Sequence, residues 1–138
     1  MTQEDDNVAM LRAGYAAWNE TRGDAGVWLD ILAEHVTWGS LGDGQPGMEF
    51  SKSRVSKQEV VDYFKELTND WSMEFYHVSE YVAQGDRVVA LGECSWTNKR
   101  TKKTVTIPKV DVWKFENGKV VEFMEHFDTH TAIMASQD

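Results

Sequence analysis

The sequence predicts an α+β domain in which helices come first and a run of long antiparallel strands follows. The N-terminal half carries apolar residues at helical spacing, whereas the segments after Trp71 are rich in the aromatic and β-branched residues that favour strands. Asn117-Gly118, between two such segments, is a strong hairpin signal. The 138 residues contain no internal repeat or linker and match the usual size of one domain, so we expect a single domain over residues 1–138.

Two predicted helices begin the chain. The first, from Asp5 to Glu20, places four apolar side chains on one stripe because they recur at spacings of three or four: Val8, Leu11, Tyr15 and Trp18. After Gly23, Asp24 is suited to cap a second helix. We expect that helix to run from Ala25 to about Glu34.

A short strand and a loop separate these helices from the third. The strand is predicted from Val36 to Leu41, and the loop that follows can act as a lid because it is rich in glycine and proline: Gly42, Gly44, Pro46 and Gly47. Ser56 and Glu59 then form a capping box, which marks the start of the third helix. Its apolar stripe consists of Val60, Phe64, Leu67 and Trp71.

Four strands and a helical turn complete the predicted domain. The strands are expected at Met73 to Ala83, Arg87 to Asn98, Lys103 to Phe115 and Val120 to Phe127. Asp128 is suited to cap a short C-terminal turn that ends near Met134. Helices that precede an antiparallel sheet are typical of the α+β class.

Composition excludes several function classes. The formal net charge is −9, and the one basic cluster, Lys99 to Lys103, is expected at an exposed hairpin tip, so we expect no nucleic-acid partner. No apolar run is long enough to span a membrane, and the polar N-terminus does not resemble a secretory signal, so we expect a cytoplasmic protein. Cys94 is the one cysteine, and its place within a strand favours a core residue over a nucleophile.

One carboxyl group interrupts the apolar face of the last strand. Glu125 shares that face with Val121, Phe123 and Phe127. If the face lines a pocket, the carboxyl group is suited to proton transfer, since an apolar setting favours its neutral form. The alternative is that Glu125 faces a dimer interface or pairs with a basic residue.

Two further carboxyl groups are candidates for the same pocket. Glu93 shares its face with Val89, Leu91 and Ser95, and Asp111 shares its face with apolar residues and with Lys109. Asp111 is either a second pocket carboxyl or one member of a salt bridge on an exposed face. Carboxyl groups that open into one cavity, with no basic side chain to neutralise them, predict acid/base chemistry. Carboxyl groups that face a dimer interface or end in salt bridges predict a binding or interaction role.

The histidines do not predict a metal centre. Only His126 and His130, with Asp128 between them, have close spacing, and no set of ligands is completed around them. No phosphate-binding loop, dinucleotide fingerprint or nucleophile elbow is present. We therefore expect neither a metal nor another cofactor.

The order of elements resembles a known superfamily. The short strand with Trp38, the glycine-rich loop and the closing segment Val110 to Thr129 (VDVWKFENGKVVEFMEHFDT) are similar to nuclear transport factor 2-like proteins, and among them to SnoaL-like and ketosteroid isomerase-like proteins. The resemblance covers nearly the whole chain. It implies a cone-shaped half-barrel, in which a curved antiparallel sheet wraps around three N-terminal helices.

The resemblance also implies roles for individual residues. Asp111 matches the ketosteroid isomerase aspartate that stays protonated and donates to the substrate oxyanion, with Tyr15 as its partner from the first helix. Glu125 matches the last aspartate of the Asp–Arg–Asp set in limonene epoxide hydrolase. The Arg-x-Asp pair of that set falls at Glu93-Cys94-Ser95, where no arginine stands. SnoaL-like cyclases use one acidic residue in an aromatic pocket without a cofactor.

Two functions follow as hypotheses. The first is a cofactor-independent acid/base enzyme (polyketide cyclase-, isomerase- or hydratase-like) that acts on a small apolar or polycyclic molecule through Glu125, Asp111 and Glu93. Its expected substrate-binding residues are Tyr15, Trp18, Trp38, Trp71, Ser95, Trp113, Phe123 and Phe127. The second is a non-catalytic small-molecule-binding or dimerisation module of the same fold.

A homodimer is expected under both hypotheses. Helices on one side of the sheet cannot cover apolar residues on the other side. The residues expected on that outer face are Ala90, Cys94, Trp96, Val110, Val112 and Met124.

Overall fold

A computed structural model describes all 138 residues and confirms the α+β class. One five-stranded sheet has the order β1-β5-β4-β3-β2. Its strands are β1 (Leu32–Ser40), β2 (Trp71–Gln84), β3 (Arg87–Asn98), β4 (Thr104–Glu116) and β5 (Lys119–Phe127). The helices are α1 (Gln3–Thr21), α2 (Gly26–Leu29), α3 (Lys57–Asp70) and α4 (Thr129–Ala135). The sheet curves into an open half-barrel, and the helices close its concave side.

Two of the three predicted caps, Ser56 and Asp128, start helices, whereas Asp24 is not the N-cap of α2, which follows Ala25 without a side-chain cap. Ser56 accepts a hydrogen bond from the Glu59 backbone N–H at the start of α3, and Asp128 accepts one from the Thr131 N–H at the start of α4. At α1 the cap is Thr2, which forms a reciprocal capping box with Asp5. These side chains satisfy backbone donors that a helix start leaves without partners.

The second helix is much shorter than predicted, because strand pairing takes over its C-terminal half. Helix α2 ends at Leu29, and β1 already begins at Leu32. The Val120 N–H donates to the Ile31 carbonyl oxygen at 2.8 Å, and Leu32 pairs with Val120. Strand β1 therefore runs parallel to β5, whereas the other neighbouring pairs are antiparallel.

The register of the sheet decides which side chains face the helices. Asp111 lies between Ala90 on β3 and Glu125 on β5, so all three point to the concave side. The outer-face prediction was wrong for Ala90, Cys94 and Trp96, which are buried on the concave side. Side chains alternate between the two faces along β4 and β5. The other members of that predicted set, Val110, Val112 and Met124, therefore lie on the outer face, where they are half-buried.

The wide end of the half-barrel is closed by the glycine-rich loop and by α4. The loop leads to a 3-10 turn at Glu49–Ser51, and it seals the interior with the buried side chains of Met48 and Phe50. Helix α4 adds the buried Ala132. No helix is both long enough and apolar enough to cross a membrane.

The basic tip of the β3–β4 hairpin holds the C-terminus in place. Arg100 forms an ion pair with Asp138 at 2.5 Å, Thr101 Oγ1 donates to the Ala135 carbonyl at 2.6 Å, and Lys103 Nζ donates to the Gln137 carbonyl at 2.6 Å. The four basic residues of the tip, Lys99, Arg100, Lys102 and Lys103, are exposed as predicted, and the tip in addition contacts the C-terminal residues. Lysine and arginine side chains at a helix C-terminus bind its free carbonyl groups favourably.

We predict that Gly92→Ala strongly destabilises the fold. A Cβ atom at Gly92 would lie 1.9 Å from the His77 carbonyl oxygen on β2, and backbone of a neighbouring strand cannot move aside cheaply. Forced overpacking of this kind costs about 1–3 kcal/mol. Urea unfolding measures the loss. Gly39→Ala is the matched control, since its Cβ would meet only the flexible Met124 side chain, and equal losses in both variants would contradict the prediction.

Candidate active site

The helices and the sheet enclose one aromatic cavity of about 70 Å³. All six tryptophans of the chain line it, together with three of the four tyrosines. Every helix contributes: Tyr15 comes from α1, Trp28 from α2, Tyr63 from α3 and Ala132 from α4. Large aromatic walls with few polar groups are typical of small-molecule sites.

Three charged side chains meet at one end of this cavity. Lys109 Nζ lies 2.7 Å from Asp111 Oδ1 and 3.0 Å from Glu125 Oε1. The side chains of Lys109, Asp111 and Glu125 are 9%, 2% and 5% exposed. Lys109 and Asp111 share a face of β4 because they are two residues apart, and Glu125 is the cross-strand partner of Asp111 on β5. We call these three residues the acid–lysine–acid cluster.

Three buried tyrosine hydroxyl groups donate to the two carboxylates. Tyr15 and Tyr76 both donate to Asp111 Oδ2, at 2.5 and 2.6 Å, and Tyr63 donates to Glu125 Oε2 at 2.9 Å. Asp111 accepts a further hydrogen bond from Lys109. Asp111 is thus an acceptor in every contact, so the geometry does not support the donor role that the ketosteroid isomerase resemblance implied.

The tyrosines are themselves held by other donors. The Tyr15 oxygen accepts from the Trp113 indole N–H at 2.9 Å, and the Tyr76 oxygen accepts from Lys109 Nζ at 2.7 Å. Helix α1, helix α3 and strand β2 each contribute one tyrosine to the cluster. Such fully connected networks hold their members in one arrangement.

The cluster shifts the pKa of its members. Burial alone would lower the pKa of Lys109, but the negative charges of Asp111 and Glu125 outweigh burial and raise this pKa well above its ordinary value. Burial raises the pKa of Tyr15, Tyr63 and Tyr76 well above the usual range, and the nearby carboxylates raise it further. The lysine therefore stays cationic, and the tyrosines stay neutral donors.

One positive charge faces two carboxyl groups, and the two are not equivalent. Asp111 accepts three hydrogen bonds, whereas Glu125 accepts one hydrogen bond from Tyr63 and contacts the shared ammonium group. A carboxylate can accept about four hydrogen bonds. Glu125 therefore keeps the larger capacity to accept a hydrogen bond from a molecule in the cavity.

Most of the predicted site residues line the cavity, but two do not. Asp111, Glu125 and the aromatic residues Tyr15, Trp18, Trp38, Trp71, Trp113, Phe123 and Phe127 all contribute to its lining. Glu93 is exposed on the outer face. Ser95 is buried on that same face, where it accepts a hydrogen bond from Thr106 Oγ1. The prediction was wrong for both because side chains alternate along β3. Cys94 and Trp96 face the cavity, so Glu93 and Ser95 face outward.

Three polar residues of the site were missed by sequence reasoning. Lys109 had been noted only as a polar neighbour of Asp111, and Tyr63 and Tyr76 had not been singled out. Lys109 and Asp111 form a basic-x-acidic pair on one face of β4. The spacing of Lys109 and Asp111 was the signal that could have identified it.

Cys94 lines the cavity but is unsuited to nucleophilic chemistry. Burial raises the pKa of its thiol to about 12, and the nearby Lys109 lowers the pKa only in part. No three histidine, cysteine, aspartate or glutamate side chains are grouped as metal ligands. Asp128 caps α4 and lies on the surface between His126 and His130.

Comparison with known proteins identifies the fold. The family model described as SnoaL-like domain matches residues 11–123. An NTF2-like protein of unknown function from Burkholderia pseudomallei K96243 is 26% identical over 100% of both chains, with a TM-score of 0.82. No functionally curated protein matches the sequence.

Two other solved structures share the fold at lower identity. TerC, co-crystallised with polyporic acid, is 21% identical over 94% of this chain and 98% of its own, with a TM-score of 0.76. A suggested polyketide cyclase from Xanthomonas campestris pv. campestris is 16% identical over 99% of this chain and 100% of its own, with a TM-score of 0.81.

We predict that the fold loses stability at alkaline pH. The folded-state pKa values of Lys109, Tyr15, Tyr63 and Tyr76 are raised. At alkaline pH the folded protein therefore keeps protons that the unfolded chain has released. This stabilisation is complete below about pH 10, the ordinary range of these groups, and is lost as the pH rises further. Urea unfolding midpoints across this range measure it. Tyr63→Phe should show a shallower decline, and a flat profile in the unchanged protein would refute the prediction.

Proposed function

The chain belongs to the SnoaL-like domain family, and we propose that it is a cofactor-independent enzyme in which Glu125 transfers protons to and from a small apolar molecule. The observation that carries this proposal is the buried acid–lysine–acid cluster, which places two carboxyl groups around one ammonium group inside an aromatic cavity. A proton taken up by Glu125 would balance the charges of the cluster.

The other members of the cluster position Glu125. Lys109 contacts Oε1 and Tyr63 donates to Oε2, so the carboxyl group cannot rotate freely. Asp111 holds the lysine, and Tyr15 and Tyr76 hold Asp111. We infer that Glu125 acts as the acid/base and that Asp111 orients the ammonium group. Positioned acid/base groups contribute about 10²- to 10⁴-fold to a rate.

The lining of the cavity supports a small apolar or polycyclic substrate. Of its 22 lining residues, 19 are hydrophobic, and only Lys109, Asp111 and Glu125 carry charge. Proton transfer by one carboxyl group serves cyclisation, isomerisation or addition of water. The absence of bulk water around the cluster strengthens each electrostatic contact within it.

A non-catalytic binding module is the second candidate. The observation that favours it is that Asp111 and Glu125 both form salt bridges with Lys109, the outcome for which the sequence predicted a binding role. A carboxyl group in such contacts can be structural. In that case the aromatic cavity would hold a ligand without changing it.

The proposed proton transfer can be tested with a general probe. The ring of 5-nitrobenzisoxazole opens when a base removes its C3 proton, and the N–O bond breaks to release a coloured phenolate. We expect turnover by the protein and a loss of about 10²-fold or more in kcat/KM for Glu125→Gln. Glu93→Gln should retain full activity, because Glu93 lies on the outer face.

The pair of variants separates the two candidate functions. Turnover that depends on Glu125 and not on Glu93 supports the enzyme. Equal rates in the unchanged protein and in Glu125→Gln would leave the binding module as the function.

We also propose that the protein is a homodimer through the outer face of the sheet. Val89, Val112 and Met124 lie side by side across three strands, and Leu91 lies beside Val110. These five side chains are half-buried in one chain, and every helix lies on the opposite side of the sheet. Pairing two such faces would bury a continuous apolar patch.

Sedimentation velocity tests the dimer. We expect a dimer at micromolar concentration, and we expect Val112→Glu to be a monomer because it places a charge at the centre of the patch. Lys65→Glu, at an exposed position of α3 on the other side of the sheet, is the control and should remain dimeric. A monomer before any substitution would contradict the proposal.

A further inference from the structure

The acid–lysine–acid cluster is one positive charge short of balance. Lys109 carries one charge, and Asp111 and Glu125 can carry two of the opposite sign. Arg54, the other basic residue that is fully buried, points elsewhere and pairs with Glu66 at 2.6 Å. Nothing else in the cavity lining is basic. Because buried charges are stabilised only when they are paired, the cavity favours an occupant that supplies the missing charge.

The walls of the cavity suit a cation as well as an apolar body. The faces of aromatic rings attract ammonium groups within about 6 Å, and tryptophan does so best. All six tryptophans line this cavity.

The hydrogen-bond donors of the cluster are already in use. Tyr15, Tyr63 and Tyr76 each donate to a carboxylate, and the Lys109 ammonium group contacts three oxygens within 3.0 Å. A ligand at this end of the cavity therefore meets carboxylate oxygens with acceptor capacity left. An ammonium group offers donors to them, whereas a carboxylate or phosphate group offers none.

We propose that the natural ligand of the cavity is a small aromatic or apolar molecule that carries a protonated amine, with the ammonium group at Glu125 and the apolar body against the tryptophans. This inference names the substrate class of the proposed function and rests on the same site. The formal net charge of −9 supports it, because a negative protein attracts cations and repels anions during encounter.

Binding of three matched probes tests the proposal without any reaction. Benzylammonium, benzyl alcohol and benzoate share a ring and differ in charge. Calorimetry measures affinity, and quenching of the cavity tryptophans reports occupancy. At neutral pH we expect benzylammonium to bind about tenfold more tightly than benzyl alcohol, as one desolvated cation–π contact and one carboxylate contact suggest. Benzoate should bind more weakly than either.

Two variants locate the effect. Glu125→Gln keeps the size of the side chain and removes its charge. Benzylammonium and benzyl alcohol should then bind equally well, with an affinity ratio of about one. Tyr63→Phe keeps the charge and frees one oxygen of Glu125, so the preference should persist or rise. If Glu125→Gln does not fold, the three probes on the unchanged protein and on Tyr63→Phe still decide the matter.

Two results would overturn this inference. One is equal or tighter binding of benzyl alcohol or benzoate by the unchanged protein. The other is an infrared carboxylic-acid band at neutral pH that disappears in Glu125→Gln, since a protonated Glu125 already balances the cluster. Neither result depends on turnover of 5-nitrobenzisoxazole. If Glu125-dependent turnover is seen without an amine preference, the ligand class is refuted and the reaction is not. If the amine preference is seen without Glu125-dependent turnover, the reaction is refuted and the ligand class is not.

Discussion

The ammonium group of Lys109 is the contact on which the site depends. It lies within 3.0 Å of Asp111, Glu125 and the Tyr76 hydroxyl group, so it joins strands β4, β5 and β2 at one buried point. Removing the lysine would leave two buried carboxylates without a counter-charge, which typically costs several kcal/mol. Tyr15 and Tyr63 extend the network to helices α1 and α3, so the same contacts that shape the site also tie the helices to the sheet.

The chemistry of the site follows from two elementary rules. Side chains alternate along a strand, so Lys109 and Asp111 face the same side, and antiparallel register sets Glu125 opposite Asp111. Burial among aromatic rings then strengthens the electrostatic interactions between these charges, because the local dielectric constant is low. A cluster with two acids and one base is suited to accept a proton or to bind a cation. Proton transfer and amine recognition thus draw on the same imbalance of charge.

Alternation alone was not enough to find the whole site. Glu93 and Glu125 both interrupt apolar faces of their strands, yet only Glu125 lies in the cavity. Strand β3 is apolar on both faces, and the sequence does not say which one meets the helices. The register of β3 against β4 decides it, because Ala90 pairs with the inward Asp111 and Cys94 pairs with the inward Ile107. Lys109 was not predicted as a site residue because a lysine on a strand is most often exposed.

The sequence by itself determined the order of elements, the caps at Ser56 and Asp128, the hairpin at Asn117-Gly118 and the aromatic stripes that fill the interior. Each of these depends on residues close together in the chain, where local geometry and periodicity act directly. Tertiary structure alone decided the short α2, the parallel β1, the outward Glu93 and the pairing of Lys109 with two acids. Each depends on which strand lies beside which, and that is set by packing between residues far apart in the chain.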